Sequence, residues 1–433
     1  MKAPTSKRAS VHTLGCRLNQ AESGLLTDML EAAGYTMVPF GEAADLGIVH
    51  SCTVTREADT KSRKMLRQFI RKNPGGYAAI IGCYAQMSPA ALAEIEGVDL
   101  ILGNQQKLHL LEYVRQGKNA TPLIVRDRLL HEDFTVPFQE TGPPITRRMN
   151  LKIQDGCDSM CSFCVIPFAR GRVRARAMGD LIAEARTLIA RGVREIVLTG
   201  INLGAYRHAG EDLLRVIERL GALPGLDRLR ISSIEPGTIP EAMFGMMADQ
   251  THPLTPYLHI PLQSGSNRIL ALMHRDYTRE EYADLVARAF HAIPDLGLGA
   301  DIMVGFPGET ENDFEETAAL LENSPIAYTH IFKYSERRGT AAARLPDKVG
   351  PDTMARRSAQ LHRLGAAKLQ AHSEKFLGRT PNVLFESCEE GYWTGYTGNY
   401  LRVAVRSKEY LTNLIRAVRL DHAAGEIMLG TLI

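Results

Sequence analysis

The 433-residue chain has almost no net charge: 51 Lys and Arg stand against 49 Asp and Glu, a formal +2. A whole-protein field that weak does not hold a polyanion, so any contact with nucleic acid has to come from local basic patches. Long apolar runs are also missing. None approaches the roughly 18–20 residues that cross a bilayer, and the basic start MKAPTSKRAS leads into a short strand and a polar turn rather than a signal segment. These absences point to a cytoplasmic protein with no membrane partner. A paired set of cysteines is lacking too. The seven present (Cys16, Cys52, Cys83, Cys157, Cys161, Cys164 and Cys388) are an odd number in a long chain, which argues against a disulfide framework and for metal or redox chemistry. With 45% hydrophobic and 23% charged residues, the chain can bury a core and form two or three domains.

Residues 8–140 alternate strand and helix patterns. Strands are expected at 11–14, 46–50, 78–81 and 100–102, with helices at 22–33, 58–72, 89–96 and 107–114. This predicts a small parallel α/β domain. Cys16, Cys52 and Cys83 each follow a strand, and parallel strands end at one edge, where open sheets place their ligands. Three thiolates converging there fit an iron–sulfur cluster with one open iron, or zinc. Three buried structural cysteines remain the alternative.

Residues 145–372 open with Met149-Asn-Leu-Lys-Ile-Gln-Asp-Gly-Cys157-Asp-Ser-Met-Cys161-Ser-Phe-Cys164, a strand, a glycine turn and C-x3-C-x2-C. Three thiolates within eight residues can wrap one cubane cluster and leave one iron free; the spacing matches neither bacterial ferredoxins nor zinc fingers. Six strands are expected at 151–154, 195–198, 229–232, 257–260, 298–304 and 327–332. Asn202, Glu235, Gln263, Ser264 and Asp301 lie at or just past strand ends, as cofactor contacts or as caps and turns. His259 either points into this barrel or is a core histidine, and no histidine–carboxylate acid/base pair stands out.

The C-x3-C-x2-C segment resembles the signature of the radical S-adenosylmethionine (SAM) superfamily. That resemblance implies a partial (β/α)6 barrel, a [4Fe–4S] cluster on Cys157, Cys161 and Cys164, and SAM bound at its open iron. Phe163 occupies the usual aromatic position, and the resemblance shifts Glu235, Gln263 and Asp301 toward SAM binding. VHTLGCRLNQAE, SCTVT, IGCYAQ and IQDGCDSMCSFCVIPFARGRVRAR together resemble, more closely, the methylthiotransferases. For that family the implied parts are a second, auxiliary [4Fe–4S] cluster on Cys16, Cys52 and Cys83, a sulfur source, and an electron donor such as flavodoxin or ferredoxin. One SAM methylates the sulfur; a second yields a radical that abstracts hydrogen from the carbon to be methylthiolated. Within the family, LGCRLNQAE and the T-C-x-V-T-like stretch are most similar to the group acting on threonylcarbamoyladenosine at position 37 of tRNA. The rivals are isopentenyladenosine in tRNA, an aspartate of a ribosomal protein, and, in another class, a non-enzymatic zinc-containing RNA-binding protein.

Two basic stretches offer RNA contacts. Residues 56–72 hold seven basic and two acidic residues, and so do residues 147–176, where Arg170, Arg172, Arg174 and Arg176 nearly alternate. These arginines are candidates for anticodon-loop phosphates or for a carboxylate, against a salt-bridged face as the plainer reading. From 373 to 433, Gly-punctuated strands predict a small antiparallel β-barrel resembling the RNA-binding TRAM domain, with Tyr392, Trp393, Tyr396 and Tyr400 stacking on bases or filling the barrel. Cys388 is expected to be structural. The whole is expected to work as a monomer.

Overall fold

The structure, a computed structural model, describes residues 7–129, 132–139 and 144–433. Residues 1–6 of the basic start and the expected domain end at 140 lie outside the described residues. The first sheet comprises β1 (Arg8–Thr13), β2 (Thr36–Met37), β3 (Leu46–Ser51), β4 (Tyr77–Gly82), β5 (Leu100–Leu102) and β6 (Leu123–Val125). Its order is β2-β1-β3-β4-β5-β6, every pair parallel. Strands β3 and β4 are buried along their whole length, as central strands covered on both faces must be. Helix α1 (Arg17–Ala32) starts earlier than its apolar periodicity suggests, because the polar residues after Cys16 form its first turn. Helix α2 (Arg56–Lys72) is capped by Thr55, whose hydroxyl accepts from the Ala58 N–H at 3.1 Å. Glu57 and Asp59 lie at its positive end and Arg71 and Lys72 at its negative end, while Leu66 and Phe69 bury its apolar side.

The central unit contains β7 (Met149–Lys152), β8 (Glu195–Thr199), β9 (Arg228–Ile231), β10 (Tyr257–His259), β11 (Gly297–Val304) and β12 (Tyr328–Lys333). Two parallel triplets, β7-β8-β9 and β10-β11-β12, are joined by bridges Ser233↔His259 and Leu229↔Leu254. Leu151, Ile196, Leu229, Leu258 and Ile302 form part of one continuous core. Among the described residues β7 and β12 do not pair, so the barrel is open on one side, and α1 packs on β7 there.

Helix α3 (Pro351–Glu374) lies along β12 and leads into β13 (Asn382–Glu389), β14 (Tyr392–Thr397), β15 (Arg402–Arg406), β16 (Ile415–Ala424) and β17 (Ile427–Leu432). These close into a barrel in the order β13-β14-β15-β17-β16 around Val383, Phe385, Trp393, Val403 and Val418. The loop after β14 stoppers the N-terminal ends of the central strands. Arg230 donates to the Gly398 carbonyl at 2.8 Å and pairs with Glu195 at 2.6 Å; Arg228 donates to the Tyr396 carbonyl at 2.8 Å. Burial drives against ionisation of Glu195, but Arg230, Arg228 and Arg148 hold its carboxyl down at about 2. Cys388 is exposed rather than structural: it lies late in β13, where the strand runs out of the core. Among the described residues no helix is long and apolar enough to cross a membrane.

His372, near the end of α3, is packed beside Tyr328 and Phe376, with its buried Nε2 unpartnered among the described residues. Burial lowers its pKa to about 4, Lys375 adding to the effect and Asp295 opposing it. The unfolded chain therefore binds a proton that the fold rejects between pH 6.5 and about 4. Stability rises with pH across that window and is fully present above it. Urea midpoints measured from pH 7 to pH 5 should fall, and His372→Phe should flatten that slope.

Candidate active site: two cysteine sets joined by a buried ion network

Parallel register sets Thr13 beside His50 and Ser51 beside Gly82, so the chain leaves three strands at one edge. Cys16 is the residue before α1, Cys52 follows β3, and Cys83 opens the short helix after β4. Gly15 shows how close they come. Its φ is +95°, and a Cβ there would lie 2.7 Å from Cys52 Cβ and 2.9 Å from Cys52 Sγ. Cys52 and Cys83 are buried, whereas Cys16 touches solvent on one side and protein on the others. Burial pushes the Cys52 thiol up to about 12, with Cys83 and Cys16 adding to it, and burial also raises Cys16. As free thiols these groups are poor nucleophiles; a positively charged metal group is what would hold them as thiolates.

The second set forms at the turn after β7. Gly156, at φ +73°, faces the Arg172 carbonyl, which a Cβ would meet at 1.9 Å. The Cys157 N–H donates to the Gly171 carbonyl at 3.1 Å and the Cys164 N–H to the Cys161 carbonyl at 3.0 Å, folding the loop on itself. Burial pushes Cys164 up to about 12. Arg275 donates to Cys161 Sγ at 3.2 Å and pairs with Glu235. Sequence reasoning missed Arg275, which has no motif around it.

Beside Cys164 lies a cavity of about 420 Å³, lined by Val54, Thr55, Phe163, Gln263, Asp301 and Met303 among others. Phe163 meets Phe306 edge-on at 6.4 Å. Gln263 holds φ +64°, and its buried Oε1 has no partner among the described residues. An orphaned acceptor in a largely apolar cavity beside three thiols fits a nucleoside-bearing cofactor. Asn202 is buried, accepting from the Thr238 hydroxyl at 3.2 Å. Asp301 does have histidine partners, which the sequence did not reveal: His259 Nε2 at 2.9 Å and His330 Nδ1 at 3.2 Å. Burial opposes ionisation of Asp301, but these two contacts hold its carboxyl below the usual range.

The arginines need correction as RNA contacts. Arg170 is fully buried against Glu22 at 3.1 Å and Asp155 at 3.0 Å. Arg176 is fully buried between Asp180 and Glu184, and Arg174 lies against Asp155 at 3.5 Å. Only Arg172 of the four is exposed, near Asp158 at 3.6 Å. The alternation reads as an exposed strip, but the segment threads the seam between the two units, where Glu22 from far along the chain and the nearer Asp155, Asp180 and Glu184 take up its guanidinium groups. Lys107 and Lys152 join the same network, at 2.6 and 2.8 Å from Glu22, and Lys152 is 2.6 Å from Asp155. Burial alone would raise the Glu22 carboxyl, but Arg170, Lys107 and Lys152 hold it well below its ordinary value. The network also ties the cysteine sets together. Asn104 donates to Cys83 Sγ at 3.5 Å and to the Ala169 carbonyl at 2.7 Å, so the helix opened by Cys83 packs on the helix Ile166–Arg170 that follows Cys164.

A partial barrel with a three-cysteine loop after its first strand and a nucleoside-sized cavity beside it defines the class as radical SAM enzymes. Comparison with known proteins agrees. Residues 151–321 match the radical SAM superfamily, and residues 8–103 match a family described only as uncharacterized protein family UPF0004. A Bacillus subtilis threonylcarbamoyladenosine tRNA methylthiotransferase is 37% identical over 94% of this chain and 92% of its own. An Agrobacterium fabrum tRNA-2-methylthio-N(6)-dimethylallyladenosine synthase is 34% identical over 88% of this chain and 87% of its own. The Kitasatospora setae radical SAM methyltransferase TsrM shares the fold, with TM-score 0.54 and 17% identity over 76% of this chain and 75% of that one. The chain belongs to the radical SAM methylthiotransferase family, and it is an enzyme that uses SAM and a [4Fe–4S] cluster.

Breaking a buried pair leaves an uncompensated charge, at a cost of about 3–5 kcal/mol. Glu22→Gln should therefore lower unfolding free energy by roughly that much in urea titrations of the apoprotein. Glu42→Gln, which removes the exposed Arg8–Glu42 pair, should change it little.

Proposed function

We propose that this enzyme adds a methylthio group to C2 of threonylcarbamoyladenosine at position 37 of tRNA. The observation that carries the reading is the joining of the two cysteine sets through the buried Glu22–Arg170–Asp155 network, with Thr55 and Cys164 lining one cavity. Cys157, Cys161 and Cys164 hold the SAM-binding cluster; Cys16, Cys52 and Cys83 hold the auxiliary one. When bound, the two clusters and SAM supply the radical, the methyl group and the sulfur. The protein's own residues position and shield: Gln263 and Asp301 present polar groups to the cofactor cavity, Asn202 is a further cofactor contact from just past β8, Phe163 walls the cavity, and Arg275 pairs with Glu235 and donates to Cys161. The substrate assignment is supported by the LGCRLNQAE segment and by the Bacillus relative's activity on threonylcarbamoyladenosine.

The tRNA backbone is gripped by α2 instead of the Arg170–Arg176 segment. Lys61, Lys64, Arg67 and Arg71 are exposed on one stripe of that helix, at spacings of three and four residues. Residues 373–433 serve as a TRAM-like RNA-binding unit. There Tyr392 is exposed enough to stack on a base, whereas Trp393 is buried and Tyr396 and Tyr400 pack at the barrel junction. A flavodoxin or ferredoxin supplies electrons, a separate donor renews the sulfur, and the setting is the cytoplasm.

The test is anaerobic reconstitution with iron and sulfide, followed by incubation with SAM, a reductant and tRNA carrying threonylcarbamoyladenosine. Mass spectrometry of the nucleosides should show one methylthio group gained. Cys16→Ala should keep forming 5′-deoxyadenosine while losing that product, and Cys161→Ala should lose both. Methylthiolation only of isopentenyladenosine, or of a ribosomal-protein aspartate, would contradict the substrate assignment.

A further inference from the structure

Where α1, the start of β7 and the loop after β14 meet, four guanidinium groups cluster around few carboxylates. Arg230 and Arg228 share Glu195, and Arg148 takes Glu386 at 3.1 Å. Arg17 has no carboxylate among the described residues. Its Nη2 donates to the Tyr400 hydroxyl at 2.7 Å, and the guanidinium lies 5.7 Å from the centre of that ring. Arg148 and Arg230 also face Tyr400, at 5.3 and 4.9 Å. Against burial, Arg17, Arg148 and Arg230 lower the pKa of the phenol, as a surplus of positive charge requires. Tyr400 itself is held at φ +74°, an arrangement that turns its ring to this junction.

The surplus faces space. A cavity of about 690 Å³ opens here, lined by Arg17, Arg148, Gln20, Asn150, Glu386 and Tyr400 among others. A half-buried guanidinium whose only hydrogen-bond partner among the described residues is a neutral phenol leaves donors unspent, and its fork matches a carboxylate. Its position suits a substrate anion: Arg17 leads off α1 directly after Cys16, and its guanidinium reaches Tyr400 and the neighbourhood of Tyr257 at the foot of the barrel.

We propose that Arg17 is a specificity-determining residue that binds the carboxylate of the threonyl group on the target adenosine, with Tyr400 holding the guanidinium in place. This rests on the substrate reading above. The chemistry suits it, because the N6 substituent and C2 both flank N1 of the adenine, so anchoring the carboxylate fixes the orientation of the C2 edge. Isopentenyladenosine has no anion to offer, and the same guanidinium would be left desolvated against its apolar side chain.

The test compares two anticodon stem-loops, one bearing threonylcarbamoyladenosine and one bearing its methyl ester, on fully reconstituted wild type, Arg17→Gln and Arg17→Lys. Wild type should prefer the acid by about tenfold or more in kcat/KM, the scale of a hydrogen-bonded charge pair. Arg17→Gln should raise KM for the acid by about as much, leave the ester unchanged and erase the preference; Arg17→Lys should keep part of it. Arg17→Gln with normal iron content and an intact acid preference would overturn the assignment. A wild type that forms 5′-deoxyadenosine but does not methylthiolate the acid substrate would overturn the substrate reading, and this assignment with it. If Arg17→Gln loses iron because Cys16 is adjacent, Tyr400→Phe carries the test. It should raise KM for the acid alone, and an unchanged acid-to-ester ratio would overturn the proposal.

Discussion

One buried ion network governs how this molecule is put together. Glu22 on α1 and Asp155 after β7 are met by Arg170, Lys107 and Lys152, all within the seam between the parallel sheet and the open barrel. Taking these charges out of water is costly, and only close mutual pairing offsets it. With Arg174 also against Asp155, four cations face two carboxylates and leave the seam positive. His50, 3.5 Å from Glu22, does not add to that charge, since burial and Lys107 lower its pKa to about 3. Lys107 is likewise pushed down, to about 8, by burial and by Arg170. The surplus lies beside Cys16 and Cys83, whose negative charge as thiolates it complements. The network thus fixes the position of one cysteine set relative to the other and supplies the field in which the first would bind a cluster.

The cysteines themselves follow the same logic. Burial raises the thiols of Cys16, Cys52, Cys161 and Cys164, which makes them unsuited to act as free nucleophiles. Groups of this kind become thiolates when a metal centre replaces their protons. The surrounding polar groups are arranged around the thiols rather than as acid/base machinery: Arg275 against Cys161, Asn104 against Cys83, and backbone N–H groups folding the Cys157–Cys164 loop.

Much of this was legible in the sequence, for local reasons. Strand periodicity located the six central strands to within a few residues, and the strand-end positions of Cys16, Cys52 and Cys83 followed from parallel topology. The Gly156 turn and C-x3-C-x2-C spacing marked the second set directly. The partners that complete the site were not legible, because they come from far along the chain. Glu22 reads as an ordinary helix residue, yet it meets Arg170 148 residues later. Arg275 lies 114 residues beyond Cys161, and Asp301 joins His259 and His330 only through strand register. The same blindness misled the reading of Arg170, which is buried against the distant Glu22, whereas Arg176 has its carboxylates, Asp180 and Glu184, close by in sequence.

The central claim is that two three-cysteine sets, held together by the seam, each carry a cubane cluster. The most direct measurement is iron and sulfide counting, together with electron paramagnetic resonance of the reduced, anaerobically reconstituted protein. The account predicts two clusters per chain with mutually broadened signals, reduced to one isolated cluster when Cys16, Cys52 and Cys83 are all changed to alanine. Wild type holding a single cluster's worth of iron, unaffected by that triple change, would contradict it.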